Sequence, residues 1–591
     1  MIRFDPFHSL YKSPVGAVVV SQEVLLCVEL VRDYEAFYPI VLSVQKDEGP
    51  WCDYPCSEMG KTEGGVKRIG TVWQAAEPGI YFYRFQALRA DGSVADGTPV
   101  YQQSVYKNYF TTPEWLRDAV MYQIFPDRFK RSGKTEIPTQ NKQWVFRKNW
   151  GEDPVSGPDE SGVVQNNDFF GGDLKGIEES LPYLADLGVN VIYLNPIFQA
   201  YSNHRYDTAD YMNVDPLLGS NKDFKQLCRH AKSHGIRIIL DGVFNHTGSH
   251  SRYFNKDGAF DDIGAYQSQD SVYYNWYMFH AWPKDYASWW GIDTLPSLRE
   301  ENPEVLDFFI RNEESVVAYW LRAGASGFRL DVADELPDEF LDLLRKRVKE
   351  INPEACIIGE VWEDASNKIA YGHRRRYFEG DQLDTVMNYP LKDGIIAFLN
   401  GKISGRQFAA RVHALLDHYP APAFQTLMNI LGTHDTPRIR TVLSEQANEQ
   451  QTREKLFAAL AIWAFMPGCA CLYYGDEIGM EGGRDPMNRR CFDYERKDKE
   501  IHRHYRLLLA FRKSLKNIGS MELTQIHGEA DLFCFLRVNH ENELFTAVHT
   551  GGGTWKKIFE KPPVSILTSG QASFEDNTLI LEGCASAVLY F

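Results

Sequence analysis

Three carboxyl groups have the residue types and positions that hydrolytic chemistry requires. Asp331, Glu360 and Asp435 each end a short run of apolar residues, which is the pattern of a buried strand. Burying an ionised carboxylate costs free energy unless the group is paired or takes part in a reaction. Two carboxyl groups that flank a glycosidic bond can hydrolyse it, because one attacks while the other protonates the leaving oxygen. The three acids therefore predict a hydrolytic site at strand ends.

Arg329 precedes Asp331 by two residues, and side chains two apart in a strand lie on the same face. A guanidinium within a few ångström favours the ionised carboxylate, so the pair predicts an Asp331 that is ionised at neutral pH and ready to attack. A purely structural ion pair has the same pattern, so the pair alone indicates both roles equally. The two other acids favour the catalytic interpretation.

Four stretches together resemble the catalytic strand motifs of the α-amylase superfamily, glycoside hydrolase family 13. They are Asp241–His246, Gly327–Glu335, Ala355–Trp362 and Thr426–Asp435, and they occur in the order found in that family. Four motifs in the right order make the resemblance specific. It extends from about residue 119 to 493, and more weakly over both flanks.

The resemblance implies a role for each acid. Asp331 would form the covalent glycosyl-enzyme, Glu360 would act as the acid and then the base, and Asp435 would grip the ring hydroxyls of a distorted sugar. Asp241 and Asn245 would orient the site. Further sugar contacts are implied for Tyr206, His246, Arg329, Trp362, His434, Asp485 and Arg489.

No metal or other cofactor is expected to be required. His246 and His434 lack the i, i+4 partner of a helical metal site, so both are interpreted as sugar contacts. Calcium is an alternative, because relatives bind it between an acidic loop after the first strand and a later Gly-Gly-Asp segment. That segment is present as Gly171–Asp173, but the loop at Arg131 lacks the acidic pattern. Residues Asn166–Asp168 could supply some of the six to eight oxygen ligands.

The elements that must position these residues are eight apolar stretches separated by helical patterns such as Phe224–His234 and Glu339–Glu350. Alternating strands and helices predict a parallel sheet, and eight such units predict an α/β fold, the (β/α)8 TIM barrel, with its active site at the C-terminal strand ends. The predicted strands lie in the following stretches: Ala119–Phe129, Val189–Phe198, Arg237–His246, Gly327–Glu335, Ala355–Trp362, Leu383–Pro390, Thr426–Asp435 and Cys469–Gly475.

Three domains are predicted, with boundaries near residues 115 and 515. Short strands with turn signals in 1–115 predict an N-terminal immunoglobulin-like β-sandwich that resembles a carbohydrate-binding module. Residues 116–515 form the catalytic barrel, with an aromatic-rich domain inserted after the third strand at about 247–297; an insertion this long is usually functional. Residues 516–591 are predicted to form a C-terminal β-sandwich with a stabilising role.

Composition limits the partners. A net charge of −17 argues against nucleic acid and anionic membrane surfaces, and no run of apolar residues is long enough to span a membrane. The N-terminus lacks a basic region followed by an apolar run, so a cytoplasmic location is expected, although a chain that had lost its leader would look the same. The ten scattered cysteines are interpreted as free thiols of a reducing compartment.

The predicted function is retaining endo-acting hydrolysis of α-1,4, and as an alternative also α-1,6, bonds in maltooligosaccharides, cyclodextrins, pullulan or starch. A transglycosylase on the same scaffold and a non-catalytic glucan-binding protein are the alternatives. The chain resembles the neopullulanase, cyclomaltodextrinase and amylopullulanase branches, but it departs from the neopullulanase pattern at Phe328, Asp334 and Arg299. The run from Asp331 to Asp338 is closer to the amylopullulanases, so the branch stays open.

In neopullulanase-like relatives the N-terminal domain of one subunit covers the active site of the other. The resemblance therefore implies a homodimer through this domain, which would favour small substrates over granular starch. Aromatic residues at Phe37–Tyr38 and Tyr81–Tyr83 fit such an interface and fit burial within their own domain equally well.

Overall fold

The computed structural model describes residues 2–30, 39–62, 65–135, 144–158, 164–495 and 497–591. The chain divides into two compact units. The first consists of Met1–Thr112, Glu363–Asp384 and Ala410–Gln425. The second consists of Pro113–Trp362, Thr385–Ala409 and Thr426–Phe591. Two segments of the predicted barrel domain thus group with the N-terminal sheets, while the predicted boundaries near residues 115 and 515 stay predictions.

The first unit contains two sheets that share one apolar core. Side chains alternate along Gly79–Leu88 between buried and half-buried, because successive residues of a strand point to opposite faces. One sheet contains Ile2–Arg3, Lys12–Ser13, Val24–Leu30, Ser57–Lys61 and Lys67–Trp73. The other contains Val18–Val19, Ile40–Lys46, Trp51–Pro55, Gly79–Leu88, Val94–Gly97 and Tyr101–Tyr106. A two-stranded hairpin, Ile369–Ala370 with His373–Arg374, also belongs to this unit.

Of the two aromatic segments considered for a subunit interface, one lies in the described part of the chain. Tyr81 and Tyr83 are buried in the core between the two sheets. Phe37 and Tyr38 lie outside the described residues. Of the two interpretations, the structure therefore supports burial for Tyr81 and Tyr83.

The second unit is built on eight parallel strands, which confirms the predicted TIM barrel. Seven neighbouring pairs are hydrogen-bonded, and a parallel bridge between Met387 and Met428 joins the sixth and seventh strands. The strands are almost wholly buried, as expected for a parallel sheet covered by helices. In chain order they are Val120–Ile124, Val191–Leu194, Arg237–Gly242, Gly327–Leu330, Cys356–Gly359, Thr385–Val386, Met428–Asn429 and Cys469–Tyr473.

Helices follow the strands as predicted. The pattern at Phe224–His234 corresponds to Asn221–Ser233, which begins with a capping box at Ser220, and the pattern at Glu339–Glu350 corresponds to Asp338–Ile351. The other α-helices are Pro126–Phe129, Leu174–Glu179, Leu181–Leu187, Pro303–Leu306, Val316–Ala323, Tyr389–Leu399, Gly405–His418, Ala421–Phe424, Ile439–Leu443, Glu449–Phe465 and Lys499–Ser514.

The region inserted after the third barrel strand is held by aromatic packing and little regular structure. Phe279–Ala281 pairs with Asp285–Tyr286, and Phe254 contacts four aromatic rings of the region. Aromatic contacts therefore hold the insertion together.

Two further short pairings lie in the barrel unit, Val145–Phe146 with Asp168–Phe169 and Phe198–Ala200 with Thr208–Val214.

The C-terminal residues form one six-stranded antiparallel sheet with its own core. Its last strand pairs with three others. It is long enough to pair with two strands in succession along one edge, and the third strand pairs along its other edge. The strands are Glu522–Gly528, Leu532–Val538, Glu543–His549, Thr554–Ile558, Ser565–Glu575 and Thr578–Tyr590. Over the described part of the chain, no helix has the length and apolar character needed to cross a membrane.

Candidate active site

The fourth and fifth barrel strands place Asp331 and Glu360 side by side. Leu330 is aligned with Gly359 in the parallel register, and each acid is the next residue along its strand. The backbone N–H of Glu360 donates to Leu330 O at 3.0 Å, which fixes the start of the fifth loop against the fourth. Both acids therefore lie at the C-terminal ends of adjacent strands, as the sequence predicts.

Arg329 links three carboxylates. Its Nη1 lies 2.9 Å from both Asp331 Oδ1 and Asp241 Oδ1, and its Nη2 lies 2.8 Å from Glu360 Oε2. The guanidinium is buried, so these contacts are little screened by solvent. One cation shared among three acids cannot fully compensate them.

The pKa of Asp331 reflects this shortage of positive charge. Burial raises it well above its ordinary value, and Glu360, Asp241 and Asp435 raise it further, while Arg329 lowers it. The prediction of an ionised Asp331 was based on the effect of Arg329 alone. The structure adds the opposing effects of burial and of three neighbouring acids.

Glu360 is held by two more donors. Val332 N–H donates to its Oε2 at 2.9 Å, and the Trp362 indole donates to its Oε1 at 3.0 Å. Trp362 also stacks on Tyr389 at 4.3 Å between ring centroids. Val332 has φ 38° and ψ 57°, a left-handed conformation that strains a β-branched residue. This strained peptide lies directly between the two catalytic candidates.

Asp241 is enclosed by protein donors. Tyr193 and Tyr206 donate their hydroxyls to its Oδ2 at 2.5 and 2.9 Å, and Arg329 donates to its Oδ1. Burial raises the pKa of Asp241, and Arg329 lowers it. The side-chain Nδ2 of Asn245 lies 3.1 Å from His246 Nδ1, and the backbone carbonyl of Asn245 accepts from the Leu298 N–H. These positions fit the orienting role implied for Asp241 and Asn245.

His434 is neutral, because burial lowers its pKa well below the ordinary value. Gln123 Nε2 donates to His434 Nδ1 at 2.9 Å, so the imidazole proton is on Nε2. That nitrogen lies 2.6 Å from the Tyr206 hydroxyl and 3.2 Å from Asp435 Oδ2. The Tyr206 and His434 rings are parallel, with centroids 5.3 Å apart. The two residues thus form one rigid wall of the site.

Asp435 forms a second cluster with Arg489 and Asp485. Arg489 lies 3.3 Å from Asp435 Oδ1 and 3.0 Å from Asp485 Oδ1, and its Nε donates to His434 O at 2.9 Å. Burial raises the pKa of Asp435, and Arg489 and Arg329 lower it. About a quarter of the Asp435 side chain is exposed, so its carboxylate can still reach a ligand.

His246 has a buried nitrogen that can bind a ligand. Its Nε2 has no hydrogen-bond partner among the described residues. Burial lowers the pKa of His246 to about 4, so the ring is neutral at neutral pH. The ring stacks on Trp289, with centroids 5.5 Å apart.

Sequence reasoning missed His204, Gln123 and Trp289. His204 lies in the same loop as Tyr206, and its Nδ1 accepts from the Tyr206 N–H at 3.0 Å. Burial and the positive charge of Arg489 lower its pKa well below the ordinary value. Its position beside Tyr206 in the chain is the one signal that could have identified it. Trp289 lies in the insertion that the sequence marks as aromatic-rich, whereas Gln123 carries no signal because it reaches the site through a tertiary contact.

The Gly171–Asp173 segment is satisfied by protein groups. Asp173 accepts from Ser132 Oγ at 2.6 Å, Thr135 Oγ1 at 2.9 Å and Gly176 N at 2.6 Å. Arg131 donates through Nε to Phe170 O at 2.8 Å. Among the described residues, no group of three or more His, Cys, Asp or Glu is arranged to hold a metal ion.

Known proteins match the chain in sequence and in structure. An amylopullulanase from Thermoanaerobacterium thermosulfurigenes is 36% identical over 91% of this chain and 32% of that protein. Neopullulanase 2 from Thermoactinomyces vulgaris is 34% identical over 85% of this chain and 81% of that protein. The cyclic α-maltosyl-(1→6)-maltose hydrolase from Arthrobacter globiformis superimposes with a TM-score of 0.67 and 30% identity, over 81% of this chain and all of that one.

The matching amylopullulanases are much longer proteins, and this chain spans 32 to 46% of three of them. The family model for the α-amylase catalytic domain matches residues 123–513, which is well over half of the chain and includes all four strand motifs. The eight-stranded barrel and the carboxylates at its strand ends agree with that match. The chain belongs to the α-amylase family.

Proposed function

We propose that the protein is a retaining α-glucan hydrolase of the neopullulanase and cyclomaltodextrinase type. The observation that carries the proposal is the adjacency of Asp331 and Glu360 at neighbouring strand ends, joined by Arg329. In the first step Asp331 attacks the anomeric carbon while Glu360 gives its proton to the leaving oxygen. In the second, Glu360 removes a proton from water, which attacks the same carbon and releases Asp331.

The charges of the site bear on how many of its acids are ionised at once. Four carboxyl groups, those of Asp241, Asp331, Glu360 and Asp435, are served by two guanidinium groups. Ionising all four would leave an excess of negative charge in a buried site, so retention of a proton is favoured. The mechanism requires that proton on Glu360 when substrate binds.

The residues around Asp435 would bind the sugar whose bond is broken. Asp435 and Arg489 offer an acceptor and a donor for ring hydroxyls, and the unpartnered Nε2 of His246 offers a third contact. Tyr206 would stack on the ring, since the hydrogen bond to Asp241 fixes its orientation. Asp485 would reach a sugar further from the cleaved bond.

The preferred substrates are proposed to be short or cyclic α-glucans and pullulan, with α-1,4 bonds cleaved. Three relatives of this chain are named neopullulanase, cyclomaltodextrinase and maltogenic α-amylase. A cytoplasmic location, as expected from the sequence, would bring the enzyme imported oligosaccharides and not starch granules. No metal is proposed to take part.

Product analysis tests the proposal. Maltotriose, β-cyclodextrin, pullulan and starch are incubated with the protein and with the Asp331→Asn variant, and proton NMR follows the first anomer released. We expect the α-anomer, because two successive displacements at the anomeric carbon restore the configuration of the cleaved bond. The β-anomer would refute retention, products longer than maltotriose would indicate a transglycosylase, and no cleavage of any substrate would refute hydrolysis.

A homodimer through the N-terminal sheets is proposed as the assembly. Trp51 and Tyr54 of the outermost strand of one sheet are 36% and 38% exposed, and a stable two-fold interface should bury at least about 1,200 Å². Sedimentation velocity at micromolar concentration checks this. A single monomeric species would refute the dimer and leave the catalytic proposal unchanged.

A further inference from the structure

Trp290 is an exposed aromatic residue that no part of the proposed mechanism uses. Its side chain is 79% exposed, more than that of any other exposed tryptophan in the described chain. It belongs to the inserted region and follows Trp289, on which it stacks with centroids 5.4 Å apart and ring planes 26° apart. Leaving so large an apolar surface in water forgoes the free energy that its burial would gain, although a single exposed ring does not by itself mark a binding surface.

The backbone at Trp290 is also strained. Its φ of 51° and ψ of 28° lie in the left-handed region, which favours glycine and costs free energy for an aromatic residue. A conformation that is unfavourable for the backbone and for the side chain suggests a functional reason.

Trp290 is nevertheless held in one place. Its indole N–H donates to Glu335 Oε1 at 3.2 Å. The Glu335 N–H in turn donates to Val332 O at 2.9 Å, and the Val332 N–H donates to Glu360. Trp290 is therefore connected by three hydrogen bonds to the group that protonates the leaving oxygen.

On its other side Trp290 belongs to a row of stacked rings. Trp289 stacks on both Trp290 and His246. The Nε1 of Trp289 and the Nε2 of His246 are buried and have no hydrogen-bond partner among the described residues. Unpartnered buried nitrogens cost free energy unless a ligand or water satisfies them, so both are available to the hydroxyl groups of a sugar.

We propose that Trp290 is a stacking platform for a glucose ring of the leaving group. The tie through Glu335 and Val332 to Glu360 places it on that side, because the Asp435, Arg489 and Asp485 cluster is proposed to hold the opposite side of the cleaved bond. The protein would then select α-glucans that continue past the first leaving-group sugar. This inference rests on the proposed hydrolase function.

Binding measurements test the platform without turnover. The Asp331→Asn variant, with and without Trp290→Ala, is titrated calorimetrically with maltotriose and with maltoheptaose. We expect Trp290→Ala to raise the Kd for maltoheptaose about tenfold, a typical value for a lost ring stack, and to change the Kd for maltotriose much less. Equal weakening of both ligands, or no change in either, would overturn the proposal.

The cleavage pattern tests the side of the bond. Maltopentaose labelled at the reducing end is digested by the wild-type protein and by the Trp290→Ala variant, and the labelled products are counted. Loss of a leaving-group contact should move cleavage toward the reducing end, because fewer sugars then gain from lying on that side. A shift toward the non-reducing end, or an unchanged pattern, would contradict the assignment.

Three further variants separate stacking from stability. Trp290→Phe keeps a ring and should restore most of the maltoheptaose affinity. Trp290→Gly removes both the ring and the backbone strain. It should therefore bind maltoheptaose as weakly as Trp290→Ala does, but unfold at a higher temperature than Trp290→Ala. Trp282→Ala removes another exposed tryptophan of the inserted region and should change neither affinity nor pattern. A stability loss in Trp290→Gly with normal binding would show a purely structural role.

If the wild-type protein cleaves no substrate, the hydrolase proposal fails. The calorimetric comparison still decides whether Trp290 contacts a glucan. If cleavage occurs and Trp290→Ala leaves affinity and pattern unchanged, the platform fails and the hydrolase proposal stands.

Discussion

Two of the groups of buried carboxylates in the barrel unit differ in how they are compensated. Around Arg128, Asp127 accepts from that guanidinium at 2.7 Å and from the backbone N–H groups of Phe170 and Gly171 at 3.0 Å. Around Arg329, Asp331 is paired with this guanidinium, which is shared with Glu360 and Asp241. Backbone donors hold Asp127 in place, whereas Asp331 remains available to a substrate.

The comparison separates acids that stabilise the fold from acids that can react. A carboxylate saturated by backbone N–H groups contributes to stability and gains nothing from a ligand. A carboxylate that shares one cation with its neighbours carries an electrostatic cost that attack on a sugar can relieve. The following experiments test this difference, from the largest expected effect to the smallest.

Replacing the nucleophile should have the largest effect. Asp331→Asn should lower kcat/KM by about four orders of magnitude, the scale seen when a catalytic group is removed, because an amide cannot attack the anomeric carbon. The thermal midpoint should stay the same or rise, since the variant removes a poorly compensated charge. Steady-state assays and calorimetric unfolding check both parts. A variant that kept a tenth of the activity would refute the assignment.

Replacing the acid should give a loss that depends on the leaving group. Glu360→Gln should be severe for maltooligosaccharides and mild for an aryl glycoside whose leaving group needs no proton. The matched measurement is kcat/KM for maltotriose against a 2,4-dinitrophenyl α-maltoside. An equal loss for both would show that Glu360 does not protonate the leaving oxygen.

Removing Asp127, whose carboxylate is saturated by donors, should lower stability and leave catalysis largely unchanged. Asp127→Ala leaves Arg128 and two backbone donors without their acceptor, which should lower the free energy of unfolding by about 3 kcal/mol. The folded fraction should retain most of its kcat. Denaturant unfolding measures the first quantity and assays at low temperature measure the second. A stable variant with no activity would break the distinction between the two groups.

The pH dependence of stability should also differ. Burial and neighbouring acids raise the pKa of Asp331 in the folded protein, so the cost of its charge is absent below the unfolded pKa and grows as pH rises toward the folded pKa. The stability advantage of Asp331→Asn should therefore be greatest at alkaline pH and vanish in acid. Thermal unfolding of both proteins across that range checks the sign. An advantage that grows toward low pH would refute the raised pKa.

A chelator should have the smallest effect. EDTA is expected to shift the thermal midpoint by less than about 1 °C, because protein donors satisfy the oxygens of the Gly171–Asp173 segment and a bound metal would otherwise stabilise the fold. A large EDTA effect reversed by calcium would show that a site exists.

The loop at Arg131 is tested separately. Arg131→Ala should lower the free energy of unfolding by about 1 kcal/mol, because the hydrogen bond to Phe170 O is lost. Arg131→Lys is the matched control.

The sequence by itself determined the strands and the acids that end them. Apolar runs that close on Asp331 and Glu360, separated by an amphipathic helix, specify two neighbouring parallel strands. The two-residue spacing of Arg329 and Asp331 specifies a contact, and the structure shows it at 2.9 Å. These features could be predicted because strand alternation and strand–helix order are local properties of the chain.

Only the tertiary structure decided how the acids share their partners. Arg329 reaches Asp241 across 88 residues of chain, and Gln123 reaches His434 across 311. The left-handed conformation of Val332 and the exposure of Trp290 likewise carry no local sequence signal. Such contacts depend on the closure of the barrel and the packing of the insertion, which bring together residues whose own sequence neighbours do not specify the pairing.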